Sequence, residues 1–113
     1  MSERTYFKWL DAWNRVRVQL LVEKGEVRQF VVQFVVQYEA LIDEKWRAIV
    51  RYDSTHGFAN RDVIHPSGDQ DKYPLPFEDL GVAMTYGEQD IEDRWEWYRE
   101  RYEREREQSE DKG

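Results

Sequence analysis

Val27-Arg28-Gln29-Phe30-Val31-Val32-Gln33-Phe34-Val35-Val36-Gln37-Tyr38-Glu39-Ala40-Leu41-Ile42 alternates along its whole length. Phe30, Val32, Phe34, Val36, Tyr38, Ala40 and Ile42 make one apolar row, while the other row interleaves Val with Gln29, Gln33 and Gln37. A period of two is the pattern of a strand with one face in a core. As a single strand the stretch spans roughly 50 Å at about 3.3 Å per residue. Gln29 to Gln37 reads as a four-residue duplication, and an even-length insertion keeps every side chain on its own face. A strand so long and apolar is expected to bend at a bulge.

The flanking segments extend the pattern. Val16, Val18, Leu20 and Val22 alternate with Arg15, Arg17 and Gln19, which predicts a half-buried strand before Lys24-Gly25. Keeping even residues opposite even ones requires a three-residue loop with Gly25 left-handed. The same parity argument at Ile42-Asp43-Glu44 places Trp46, Ala48, Val50 and Tyr52 on the apolar face. Arg47, Ile49, Arg51 and Asp53 then join the glutamines. Thr5 to Leu10, rich in aromatics, is expected as a short edge strand, with a helix through Tyr6, Trp9, Leu10 and Trp13 as the alternative.

Pro66 to Pro74 reads as a polar loop. Beyond it, Phe77, Leu80, Met84, Gly87, Ile91, Trp95, Tyr98 and Tyr102 step by three or four. That spacing predicts one amphipathic helix from about Pro76 to about Arg106. Gly81 and Gly87 weaken it, and the pairs Glu100–Arg104 and Arg101–Glu105 support it before a charged tail frays from about residue 106. Phe30, Phe34, Val50, Trp95 and Tyr98 are expected to share a core beneath it. Trp97 falls off the stripe, as an interface residue or under the N-terminal aromatics. The expected architecture is α+β: an antiparallel meander of four to five strands, with one long C-terminal helix on its apolar face, in a single domain over residues 1–113.

Composition narrows the functional classes. The 113 residues include no Cys, which removes disulfides, thiolate metal sites and cysteine nucleophiles. No run is apolar enough to cross a membrane, and no hydrophobic leader follows Met1, so a cytoplasmic protein is expected. The net charge of −7 divides into +2 over residues 1–52 and −9 over residues 53–113. Such acidity suits nucleic acid poorly unless the basic half grips it locally.

Chemistry concentrates between Arg51 and His65, where both histidines fall. Arg51 and Asp53 end one strand; His56 sits in a Thr55-His56-Gly57 turn; Arg61 and His65 lie on a second short strand. If Arg61 and His65 share the face of Arg15, Arg17, Gln37 and Arg51, that face becomes cationic with an imidazole at its edge. Arginine forks suit phosphate, and histidine transfers protons near neutrality. A ribonuclease that uses the substrate's own 2′-hydroxyl needs only such parts. The catalytic candidates are therefore His65, His56, Arg51, Arg61 and Asp53. The same face also reads as a solvated sheet surface, or as one buried against a second subunit. No metal-ligand spacing stands out, and no cofactor is expected.

The segments Gln37 to Trp46 and Val50 to Pro66 resemble a family of small uncharacterised prokaryotic proteins. They are distantly similar to TumE-type toxins of toxin–antitoxin systems, through Arg51, Tyr52, Asp53, Gly57, Asp62 and His65. The resemblance implies a toxin-like role on RNA, with a cognate antitoxin protein and an RNA substrate as partners. The alternative is a non-catalytic interaction module. On either reading a homodimer is expected, burying part of the Gln/Val face or an exposed sheet edge.

Overall fold

The computed structural model describes residues 1–111. Six strands run β1 (Ser2–Asp11), β2 (Asn14–Lys24), β3 (Gln29–Ile42), β4 (Lys45–Asp53), β5 (Asn60–Ile64) and β6 (Gln70–Pro74), followed by the helix α1 (Leu80–Asp111). They form one antiparallel sheet in chain order. The fold is α+β as expected, with six strands rather than four to five. The added strand is β6, inside the segment read as a polar loop. All five of its residues are exposed, so it carries no apolar period, and its backbone pairing with β5 makes it a strand. β1 is the edge strand expected of the N-terminal aromatics, and it is longer than Thr5 to Leu10.

Val16, Val18, Leu20 and Val22 of β2 and Phe34, Val36, Tyr38, Ala40 and Ile42 of β3 are buried on the face that α1 covers. From α1 come Ala83, Ile91, Tyr98 and Tyr102, with Trp95 half-buried and edge-on to Tyr38 at 6.3 Å between ring centroids. Phe34, Val50 and Tyr98 join the core as expected, but Phe30 is 46% exposed. The bulge at Val32 pairs Phe30 with Glu23, near the tip of the β2–β3 hairpin and off the row that faces the helix.

Two bulges set the faces. From Asn14 to Leu21, even residues of β2 oppose even residues of β3; Val22 then meets Val31, with Val32 inserted. This is the expected bulge, and it does the work assigned above to the hairpin loop. Gly25 is not left-handed. Crowding is what restricts the site, because a Cβ there would collide with the Phe30 ring and the Arg28 carbonyl.

The β3–β4 turn holds only Asp43 and Glu44, with φ of 52° and 64°. A two-residue turn of this kind matches the twist of its strands but pairs Ile42 with Lys45, even with odd. A bulge at Ile49 restores the parity, so that Val50 opposes Tyr38 and Tyr52 opposes Val36. Val50 and Tyr52 face the helix as expected. Trp46 and Ala48, on the far side of the bulge, sit on the opposite face, which corrects the parity reading.

α1 starts at Leu80, because the Asp79 carboxylate caps it by accepting the Val82 N–H at 3.1 Å; Pro76 precedes the first turn instead of joining it. Pairs Arg99–Glu103, Arg101–Glu105 and Arg106–Glu110 support its second half, and it continues to Asp111, past the expected fraying point. Trp97 is 59% exposed, its ring edge-on to Tyr98 at 5.3 Å. Polar contacts pin the helix to the first strands of the sheet. Lys8 of β1 pairs with Glu88 and Glu92. Near the first turn, buried Asn14 accepts hydrogen bonds from the Tyr38 hydroxyl (2.5 Å) and from Arg99 (3.0 Å).

Candidate functional site

Strand pairing lays the polar residues of the outer face, opposite the helix, into two rungs. One runs Trp9, Arg15, Glu39; the other runs Phe7, Arg17, Gln37, Arg51, Asp62, Lys72. Side-chain bonds tie the two rungs together. Arg51 donates to Gln37 (2.8 Å), Gln37 donates to Glu39 (2.7 Å), and Arg15 donates to Glu39 (2.8 Å). Lys72 lies 3.0 Å from the Asp62 carboxylate. Gln37, Glu39 and Asp62 are buried although no second layer packs on this face, because these neighbours lie across them.

At the β1 end the network meets three aromatic rings. The Arg15 guanidinium sits 3.9 Å from the Trp46 ring centroid, 4.5 Å from Phe7 and 5.7 Å from Trp9. Trp9 and Trp46 also meet edge to face at 5.6 Å. Trp46 reaches this cluster only because the Ile49 bulge turned it outward. Phe7 and Trp9 remain 43% and 59% exposed, so the cluster is a surface feature on a pre-ordered base.

The five catalytic candidates separate. Arg51 and Asp53 lie on the outer face, Arg51 engaged with Gln37 and Asp53 buried. Arg61 opposes Tyr52 and His65 contacts the helix, so both lie on the other face. His56 is exposed at a loop tip beside Phe58, where Gly57 turns the chain with φ of 83°. The condition that would have made one cationic face, Arg61 and His65 beside Arg51, is not met.

His65 has both ring nitrogens engaged, Nδ1 with Glu105 at 2.7 Å and Nε2 with Asp71 at 2.6 Å. The Glu105 hydrogen bond, then that of Asp71, raises its pKa above the ordinary histidine value. The ring thus bridges β6 to α1. The recess around it, about 360 Å³, is lined by Asp69, Asp71 and Glu105, and such a wall repels phosphate.

A further polar group lies between the helix and the sheet. Asp90 accepts hydrogen bonds from the Tyr52 hydroxyl (2.6 Å) and the Tyr98 hydroxyl (2.5 Å) on a single carboxylate oxygen. Burial and the bond to Asp90 raise both phenols above the ordinary tyrosine value, Tyr52 well above it, so neither serves as a base. Asp90 adjoins the apolar stripe at Ile91, and nothing in its spacing marks it. An open groove of about 810 Å³ between the β2–β3 hairpin tip and the start of α1 is lined by Phe30, Phe77, Val82 and Tyr86 and contains none of the five candidates.

Among the described residues no cluster of His, Asp or Glu is arranged to hold a metal ion, and no helix is long and apolar enough to cross a membrane. The chain belongs to the family described as a domain of unknown function (DUF7718), whose pattern spans residues 1–108. No curated protein and no solved structure matches it. The likeness to TumE-type toxins therefore rests on the quoted residues alone.

Proposed function

We propose that this member of the DUF7718 family is a non-catalytic binding module, docking a protein partner through the outer sheet face at Phe7, Trp9, Arg15 and Trp46. The observation that carries the reading is the exposed aromatic cluster around the Arg15 guanidinium. Binding energy at protein interfaces concentrates on Trp, Tyr and Arg held in place before contact. Here Glu39 and three rings hold Arg15, so little side-chain freedom is lost on docking.

Charge is distributed to the same effect. The α1 segment carries 11 acidic and 5 basic residues, leaving most of the net charge of −7 on the helix, behind the sheet. The outer face balances its arginines with Glu39, Asp53 and Asp62. A docking partner on that side meets aromatic surface and balanced polar groups.

Two comparisons test the proposal. In affinity purification from native cells, a protein partner should be recovered with the wild type and lost with the Trp9→Ala/Trp46→Ala double variant, with circular dichroism unchanged. Wild-type and His65→Ala proteins should both leave total RNA intact. RNA cleavage by the wild type that His65→Ala abolishes would replace this reading with the toxin-like ribonuclease.

A further inference from the structure

The two edges of the sheet differ sharply. β6 has five residues and ends at Pro74, features that discourage strand addition. β1 has ten residues and no proline, and its far side faces no strand. Tyr6, Phe7 and Trp9 stand along it 38%, 43% and 59% exposed. A long aromatic edge with unpaired backbone groups is a template for another strand.

Building on the binding reading above, which places Phe7 and Trp9 in a binding surface, we infer that a second copy of this chain extends that surface, its β1 adding antiparallel to β1 across a two-fold axis at Phe7. The strand's own charges select that register. A two-fold through the seam keeps inner and outer faces matched only when it passes through a residue position. With Tyr6 on the axis, Arg4 would oppose the partner's Lys8. With Lys8 on the axis, two lysines would meet. Centring on Thr5 or Trp9 shortens the overlap.

With Phe7 on the axis, Phe7 meets the partner's Phe7, Thr5 the partner's Trp9, and Tyr6 the partner's Lys8. No two cations oppose. The bulge after Trp9 ends the regular edge before Glu3 would face the partner's Asp11. On the outer face, Trp9 and Phe7 then run on into the partner's Phe7 and Trp9, and the two Arg15 clusters flank the seam. The rings supply a usable area: with aromatic side chains of about 150–250 Å² each, the exposed parts of Tyr6, Phe7 and Trp9 amount to roughly 300 Å² per copy. The paired backbones and Arg4 add to this, toward the ~800 Å² per partner of a standard interface.

The test uses the full chain. Sedimentation equilibrium should show a dimer for the wild type, and monomers for Phe7→Lys and for Phe7→Glu at the same concentration, with circular dichroism unchanged. An equimolar mixture of the two variants should recover the dimer, because only a residue on the axis brings the new lysine against the new glutamate. A monomeric wild type, or variants as dimeric as the wild type, would overturn the self-pairing. A dimer that the mixture does not restore would overturn the Phe7 axis. Failure of the self-pairing leaves the docking face intact, since partner recovery dependent on Trp9 and Trp46 is measured separately.

Discussion

Gly87 of the helix lies against the ring of Tyr52 so closely that a Cβ at position 87 would stand 2.7 Å from Tyr52 Cγ. The spacing of the apolar stripe places Gly87 on the buried side, and helix propensity alone marks it as a weak point. The structure shows it as the place where the helix backbone comes nearest the sheet. Gly87→Ala should therefore destabilise the protein by about 1–3 kcal/mol through overpacking, against a propensity gain of about 1 kcal/mol. Urea denaturation decides it; a more stable variant would mean that Tyr52 moves aside freely.

Asp90 gathers the Tyr52 and Tyr98 hydroxyls onto one oxygen. An amide oxygen at the same place can still accept both, so Asp90→Asn should lose only the charge assistance. Asp90→Ala removes the acceptor shared by two buried tyrosines and should cost about 2–4 kcal/mol. Equal losses in the two variants would show that charge, and not hydrogen-bond satisfaction, holds the pair.

His65 makes stability depend on pH with a definite sign. Its folded pKa is raised by Glu105 and then Asp71. The stabilisation is complete below the unfolded value of about 6.5, and it fades as pH rises through the folded value. Glu105 opposes burial through its bonds to His65 and Arg101 and is held below the ordinary carboxylate value, so it stays charged throughout that window. His65→Gln should be less stable than the wild type near pH 6, and the gap should narrow toward pH 9. A gap that widens with pH would show that the imidazolium does not bridge the two carboxylates.

Phe30 and Trp95 belong to one expected core and occupy different environments. Trp95→Ala should cost about 2–4 kcal/mol, because the indole is half-buried against Tyr38. Phe30→Ala should cost less than about 1.5 kcal/mol, because the ring is 46% exposed. Reversed magnitudes in denaturant titration would place the load at the hairpin tip.

These contrasts show how far the residues alone could be read. The alternation through Val27 to Ile42 and the three-four stripe through Trp95 and Tyr98 are local periods, and the helix-on-meander architecture follows from them. Parity arguments carry only as far as the first uncounted bulge. The Ile49 bulge moved Trp46 to the outer face, and with it the third ring around Arg15. β6 was missed because an edge strand in water needs no apolar row. The split between Arg51 and His65 depends on side chains alternating along β5, where Arg61, Val63 and His65 face the helix and Asn60 and Asp62 do not. Proximity in sequence could not supply that.

Every strand pairs with the one made just before it, while the helix that covers the sheet comes last. During synthesis the meander can zip hairpin by hairpin without waiting for distant segments. Yet Val16, Val18, Phe34, Val36 and Tyr38 stay bare until the 32 residues of α1 have been added. At about 5–20 residues per second, that interval lasts roughly 2–6 s. A nascent chain stalled before Leu80 is thus a ready-made client for a holdase chaperone, and a product truncated there should precipitate instead of accumulating as a smaller soluble sheet.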